Sequence, residues 1–87
     1  ESVPKLIISS LNHTSSYEKA QLLRDNKISC IVLNNQREPL IRYAESAQIP
    51  YILFIEKKED KEVLNFYEIS KKEQKEITIE EILELLS

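Results

Sequence analysis

The apolar residues of this chain fall into two patterns. Some lie in short dense runs, and others recur every third or fourth position within polar stretches. Lys5–Ser10 (KLIISS), behind Pro4, is a dense run and predicts a buried strand. LNHTSS after it predicts a loop. Ser15 followed by Glu18 is a capping-box pattern, which predicts a helix start there. Ala20, Leu22 and Leu23 give that helix its apolar side, and Asn26 is placed to stop it in a left-handed conformation. Ile28–Asn34 (ISCIVLN) is apolar almost throughout, as a strand covered on both faces would be.

Asn35 and Glu38 form a second cap pattern, with Pro39 tolerated in a first helical turn. Leu40, Ile41, Ala44 and Ala47 then mark one helix face. Pro50–Ile55 (PYILFI) predicts a third strand, opened by a proline where a missing N–H matters least. EKKEDKE predicts a solvated turn, Glu62–Ser70 a fourth strand, and KEITI a short fifth. Thr78 with Glu81 is a third capping box, ahead of the stripe Ile79, Ile82, Leu83 and Leu86. The order is β-α-β-α-β-β-β-α. Two βα units require right-handed parallel crossovers, and the strand after the third must return antiparallel. The expected fold is therefore α/β, a three-layer α/β/α sandwich around a mixed sheet. Its nearly all-apolar strands, Leu6–Ile8 and Ile28–Leu33, are expected to be central.

Length limits this to one domain over residues 1–87 with one modest core. A first residue Glu1 and the absence of Met point to a segment of a longer chain. No apolar run reaches the roughly 18 residues of a membrane span, so no membrane partner is expected. The chain has no glycine. A phosphate-cradling loop needs residues that tolerate φ > 0 and close backbone approach, so no nucleotide cofactor is expected. One His and one Cys make no metal site, and no cofactor of any kind is predicted. The single Cys30 sits in an apolar run and reads as a small buried hydrophobe. It fits a reducing compartment, intracellular and cytoplasmic first, with nuclear and mitochondrial placements open. The net charge of −3 argues weakly against non-specific nucleic-acid binding. Its distribution softens that argument: residues 1–43 carry six basic side chains against four acidic, a net of +2.

The stretches KAQLLRDNKI, IRYAESAQIPYILFI and LNFYEISKKEQKEITIEEILELL, in this order and spacing, resemble a known pattern. It is the anticodon-binding domain at the C-terminus of class II aminoacyl-tRNA synthetases, in the histidyl, threonyl, prolyl and glycyl group. There a helix reading A-x-x-L-R precedes the second strand, and KYA(D/E) lies in the second helix. G-(I/A)-P-Y opens the third strand, and V-x-x-(E/D)-E-L-x-x-x-L closes the domain. Glycines usual in that family are replaced here at Asn26 or Lys27, at Gln48 and near Glu56, and a usual glutamine by Leu40. These departures mark a diverged member. Such domains also occur in the histidyl-synthetase-like region of the kinase that senses uncharged tRNA, in a mitochondrial DNA polymerase accessory subunit and in some transcription coactivators.

The resemblance implies a non-catalytic tRNA- or RNA-binding accessory domain. The alternative is a diverged module that binds a protein partner or a second copy of itself. Ligands of α/β sheets sit at the C-terminal ends of parallel strands, which nominates His13 and Thr14 in the first loop. Arg37 and Arg42 are the candidate phosphate contacts, because guanidinium forks match phosphate oxygens. Tyr43, Tyr51, Phe54, Phe66 and Tyr67 read as core or sheet-face residues rather than base-stacking platforms. In the last helix Ile82, Leu85 and Leu86 are nominated as partner-binding, since its apolar residues exceed what one face can hide. A thioredoxin-type enzyme shares much of the element order. Its cysteine pair should follow the first strand, where SSLNHTSS has none.

Overall fold

A computed structural model describes residues 3–10 and 13–86, with residues 13–15 as backbone. The elements are β1 (Leu6–Ser10), α1 (His13–Asp25), β2 (Cys30–Val32), α2 (Arg37–Ala47), β3 (Tyr51–Lys58), β4 (Lys61–Glu68), β5 (Glu73–Ile77) and α3 (Ile79–Leu86). They build one five-stranded sheet in the order β2-β1-β3-β4-β5. β1 runs parallel to β2 and β3, and β3, β4 and β5 form an antiparallel meander. Side chains alternate between the two faces of each strand. One face carries Leu6, Ile8, Leu53, Ile55, Leu64, Phe66 and Ile77 under α1 and α3. The other carries Ile7, Ile52, Phe54 and Tyr67 under α2. The expected three-layer mixed sheet is the observed one.

The centre of the sheet differs from expectation. Ile28–Leu33 yields only the short β2, and β2 is an edge strand. The cause is the crossovers. α1 carries the chain to one side of β1, and α2 returns it across the opposite face, so β3 takes the other side. Helices rather than a second neighbouring strand cover the apolar residues of β2: Cys30 and Val32 lie with the α1 core, Ile31 and Leu33 with the α2 core. Ser29 O accepts from Lys5 N, so the next carbonyl along, Cys30 O, points outward. Arg24 Nη2 donates to it at 3.1 Å, which blunts that edge.

Helix ends show how the fold manages without glycine. α1 and α2 both close in Schellman geometry: Ile28 N donates to Leu23 O and Ile49 N to Ala44 O, each at 2.9 Å. The left-handed residues are Lys27 (φ 64°) and Gln48 (φ 62°), so the stop lies at Lys27 rather than Asn26. A left-handed non-glycine costs about 1–2 kcal/mol; here it is offset by burying the next residue, Ile28 or Ile49. α1 begins at His13, two residues before the expected start. α2 has Gln36 at its N-cap with no side-chain cap bond, and the Asn35 side chain instead accepts from Gln36 N at 2.8 Å. The cap of α3 is as expected. Thr78 N donates to Glu81 Oε1 at 2.9 Å and Glu81 N to Thr78 Oγ1 at 3.2 Å, so β5 ends at Ile77 rather than reaching Ile79.

The run EKKEDKE is mostly strand. β3 continues to Lys58, and Glu59 (φ 50°) and Asp60 (φ 65°) make the turn before β4 resumes at Lys61. Positive φ at both central residues is the type I′ signature, whose twist suits a two-residue hairpin.

Candidate nucleic-acid interface

The first residues of α1 and α2 follow the C-terminal ends of β1 and β2, at one end of the parallel part of the sheet. α1 leaves toward one face and α2 toward the other. An open α/β sheet has its crevice where successive connections diverge in this way.

Two groups shape this end. The first is a polar knot around Asn34, in the segment joining β2 to α2. Asn34 Oδ1 accepts from Ser10 N at 2.7 Å and from Ser16 Oγ at 3.2 Å. Beside it Ser9 Oγ donates to Asn35 O at 3.2 Å. Ser9, Ser10 and Ser16 are buried, and hydroxyls at such sites are retained only where they find hydrogen-bond partners. The second group is an aromatic shelf under a cation. Arg37 Cζ lies 5.0 Å from the Phe54 ring centre and 5.2 Å from that of Tyr67. Both rings are largely covered, at 7% and 8% exposure, while Arg37 is exposed. The guanidinium sits where ring faces attract a cation.

His13 and Thr14 lie in the first turn of α1 rather than in a loop, because the helix starts earlier than the Ser15 cap pattern implies. Their backbone stands at the same end as Arg37. Arg42 is exposed on α2. Five residues of α-helix turn about 140° and rise about 7.5 Å, so Arg42 faces away from the shelf. Phe54, Phe66 and Tyr67 are buried, as expected of sheet-face residues, and Tyr51 stacks on Phe66 with ring centres 4.8 Å apart. Tyr43 is exposed instead. The partner-binding set needs correction. Ile82 and Leu86 are buried in the domain's own core, because α3 needs both to cover the sheet; only Leu85, 52% exposed, remains at the surface. Sequence reading missed Asn34 and the pairing of Arg37 with Phe54 and Tyr67. In the sequence Asn34 reads as the last residue of the second strand, and it lies past that strand only because β2 stops at Val32.

Charge is mixed on α2, where Glu38 and Glu45 accompany Arg37 and Arg42, and one-signed on α3. Glu80, Glu81 and Glu84 belong to α3, on the sheet face opposite α2 and Arg37. Among the described residues no group of His, Cys, Asp and Glu side chains gathers as a metal site, and no helix is long and apolar enough to cross a membrane. Cys30 is buried, and burial pushes its thiol above the ordinary range despite the nearby Arg24 charge.

The sequence profile of a family described as "Anticodon binding domain" matches residues 7–87. Among solved structures, the chain is similar to histidyl-tRNA synthetase from Nostoc sp. PCC 7120, with 14% identity and a TM-score of 0.82, covering 97% of this chain and 22% of that one. It is similar to the RNA binding domain of threonyl-tRNA synthetase from Cryptosporidium parvum Iowa II, with 15% identity and a TM-score of 0.78, covering 95% and 22%. A looser likeness, 10% identity and TM-score 0.58 over 99% of this chain and 86% of the other, is to the PelC dodecamer of Paraburkholderia phytofirmans. At these identities the likeness is one of fold. The chain spans about a fifth of the length of the two synthetase chains. No curated protein sequence matches it.

Proposed function

Because this chain belongs to the anticodon-binding domain family, we propose that it is a non-catalytic RNA-binding accessory domain whose RNA is tRNA. The observation that carries the reading is the position of Arg37. It stands exposed at the first residue of α2, at the sheet end where α1 also begins, and opposite the acidic α3. Phosphate is drawn to such a cation and repelled by the α3 carboxylates, so the RNA lies at this end, across the starts of α1 and α2 and away from α3. Arg37 makes the phosphate contact nearest the shelf, Arg42 one farther along α2, and His13 and Thr14 contribute from the first turn of α1. Neither reacting groups nor a bound cofactor enter this role; positioning the RNA is the whole of it.

The test is equilibrium binding of the chain to deacylated tRNA as salt is raised from about 50 to about 200 mM, a range in which phosphate contacts lose strength steeply. The expected result is a linear fall of log affinity with log salt. Arg37→Ala and Arg42→Ala should each reduce the slope by about one, and Glu80→Gln should leave it unchanged. Absence of wild-type binding at the lowest salt overturns the reading and leaves a protein-interaction module in its place.

A further inference from the structure

We propose that Asn34 is a positioning residue for RNA binding: it fixes the start of α1 against the start of α2 without touching the RNA. This rests on the tRNA reading, and it adds how that surface is held in one shape.

Asn34 lies three residues before Arg37, in a segment whose backbone leaves the sheet at Leu33, where Leu33 N still donates to Ile8 O at 3.0 Å. That is the last backbone bond described between this segment and β1. The Asn34 carboxamide takes over, with one oxygen accepting from Ser10 N at the end of β1 and from Ser16 Oγ in the first turns of α1. Ser9 Oγ to Asn35 O adds a third tie between the same segments. The end of β1 and the first turns of α1 thus meet the segment 18 to 26 residues farther on, at Asn34 and Asn35. They are the pieces that carry His13, Thr14 and Arg37. Since α2 lacks a side-chain cap bond at Gln36, its first turn depends on the preceding segment for its direction. Loosening the knot leaves each contact group in place but lets the two helix starts move against each other. The RNA must then select the competent arrangement, and apparent affinity falls by the fraction of molecules that occupy it.

Ser16 makes the proposal testable. It is fully buried and cannot touch RNA, so an effect of Ser16→Ala on binding is indirect, and the knot is the tie it is known to make to Asn34. The experiment compares wild type, Asn34→Ala and Ser16→Ala in titrations with an unfractionated deacylated tRNA pool at several salt concentrations. It is run well below each variant's melting temperature, with folding checked by circular dichroism. One lost hydrogen bond of about 0.5–1.5 kcal/mol corresponds to a shift of about two- to twelvefold. The expected result is that both variants bind in that range more weakly than wild type, with the wild-type salt slope retained. A purely structural role lowers the melting temperature and leaves the affinity of the folded chain unchanged, which overturns the proposal. A reduced slope for Asn34→Ala with unaltered binding for Ser16→Ala makes Asn34 itself a contact, and overturns it as well. If wild type binds no tRNA, the functional reading fails first and this one with it.

Discussion

Replacing Arg37 by alanine separates the two roles the structure gives this side chain. The guanidinium lies 5.0 and 5.2 Å from the Phe54 and Tyr67 ring centres. A single exposed cation–π contact contributes about 0.5–1 kcal/mol. One cation shared by two rings does not count twice, and its methylene stem also shields the ring faces from water, so about 1 kcal/mol is expected for the whole. For a domain of this size that lowers the melting temperature by about 4–8 °C. Arg37→Met keeps the stem and loses the charge, and should sit about midway. The assay is thermal unfolding of the three proteins by circular dichroism, without RNA. The same variants are then titrated with tRNA, where the Ala and Met forms should lose the same amount of salt slope, because phosphate sees only the charge. An Arg37→Ala melt within about 1 °C of wild type would mean the cation does not rest on the rings. A Met variant as stable as wild type would mean that coverage, not charge, is what the shelf uses.

Thr78→Ala removes the acceptor for Glu81 N, half of the reciprocal cap; about 1 kcal/mol of stability should be lost, measurable in urea, and Glu81→Gln should retain most of it. Ile82→Ala opens the core under α3, where Ile82 is wholly buried, and should cost about 2–5 kcal/mol; Leu85→Ser, at an exposed site on the same helix, should stay within about 0.5 kcal/mol. The buried Cys30 thiol, with its raised pKa, holds its proton in the folded chain at pH values where the unfolded thiol has lost it. Its contribution to stability is therefore full below the unfolded thiol's pKa and is lost as pH rises through the folded value. Cys30→Ala should flatten the alkaline limb of a stability-against-pH curve.

Local rules read well from this sequence and long-range ones less so. The Thr78–Glu81 cap, the element order and the two-sided burial of β1 follow from patterns within a few residues of each other. The edge position of β2 does not. Its composition reports burial on both faces, and helices supply that burial as well as neighbouring strands do. The missing glycines are instructive in the same way. Lys27, Gln48, Glu59, Asp60 and Lys72 all adopt positive φ, although of these residue types only Asp favours it; the geometry is imposed by the buried isoleucine after each helix and by the hairpin register. At the interface, the sequence offered Arg37 as a cation but not its resting place. Phe54 and Tyr67 lie 17 and 30 positions farther on (54 − 37 and 67 − 37), and they meet it only because β3 and β4 pair with Ile52 opposite Tyr67.

The central place of β1 bears on how the domain comes off the ribosome. Leu6 pairs with Cys30 on one side and Tyr51 on the other, partners synthesised 24 and 45 residues later (30 − 6 and 51 − 6). The core that takes in Leu6 and Ile8 is completed only by Ile82 and Leu86 in the last helix. At elongation rates of about 5–20 residues per second, this strand, buried at all its residues, waits roughly 4–16 s for its final cover. The β3–β4–β5 meander, built from adjacent hairpins, can close as it is made. Until α3 is made, the cover that it gives β1 is missing, and the apolar side chains of β1 stay open to whatever the nascent chain meets.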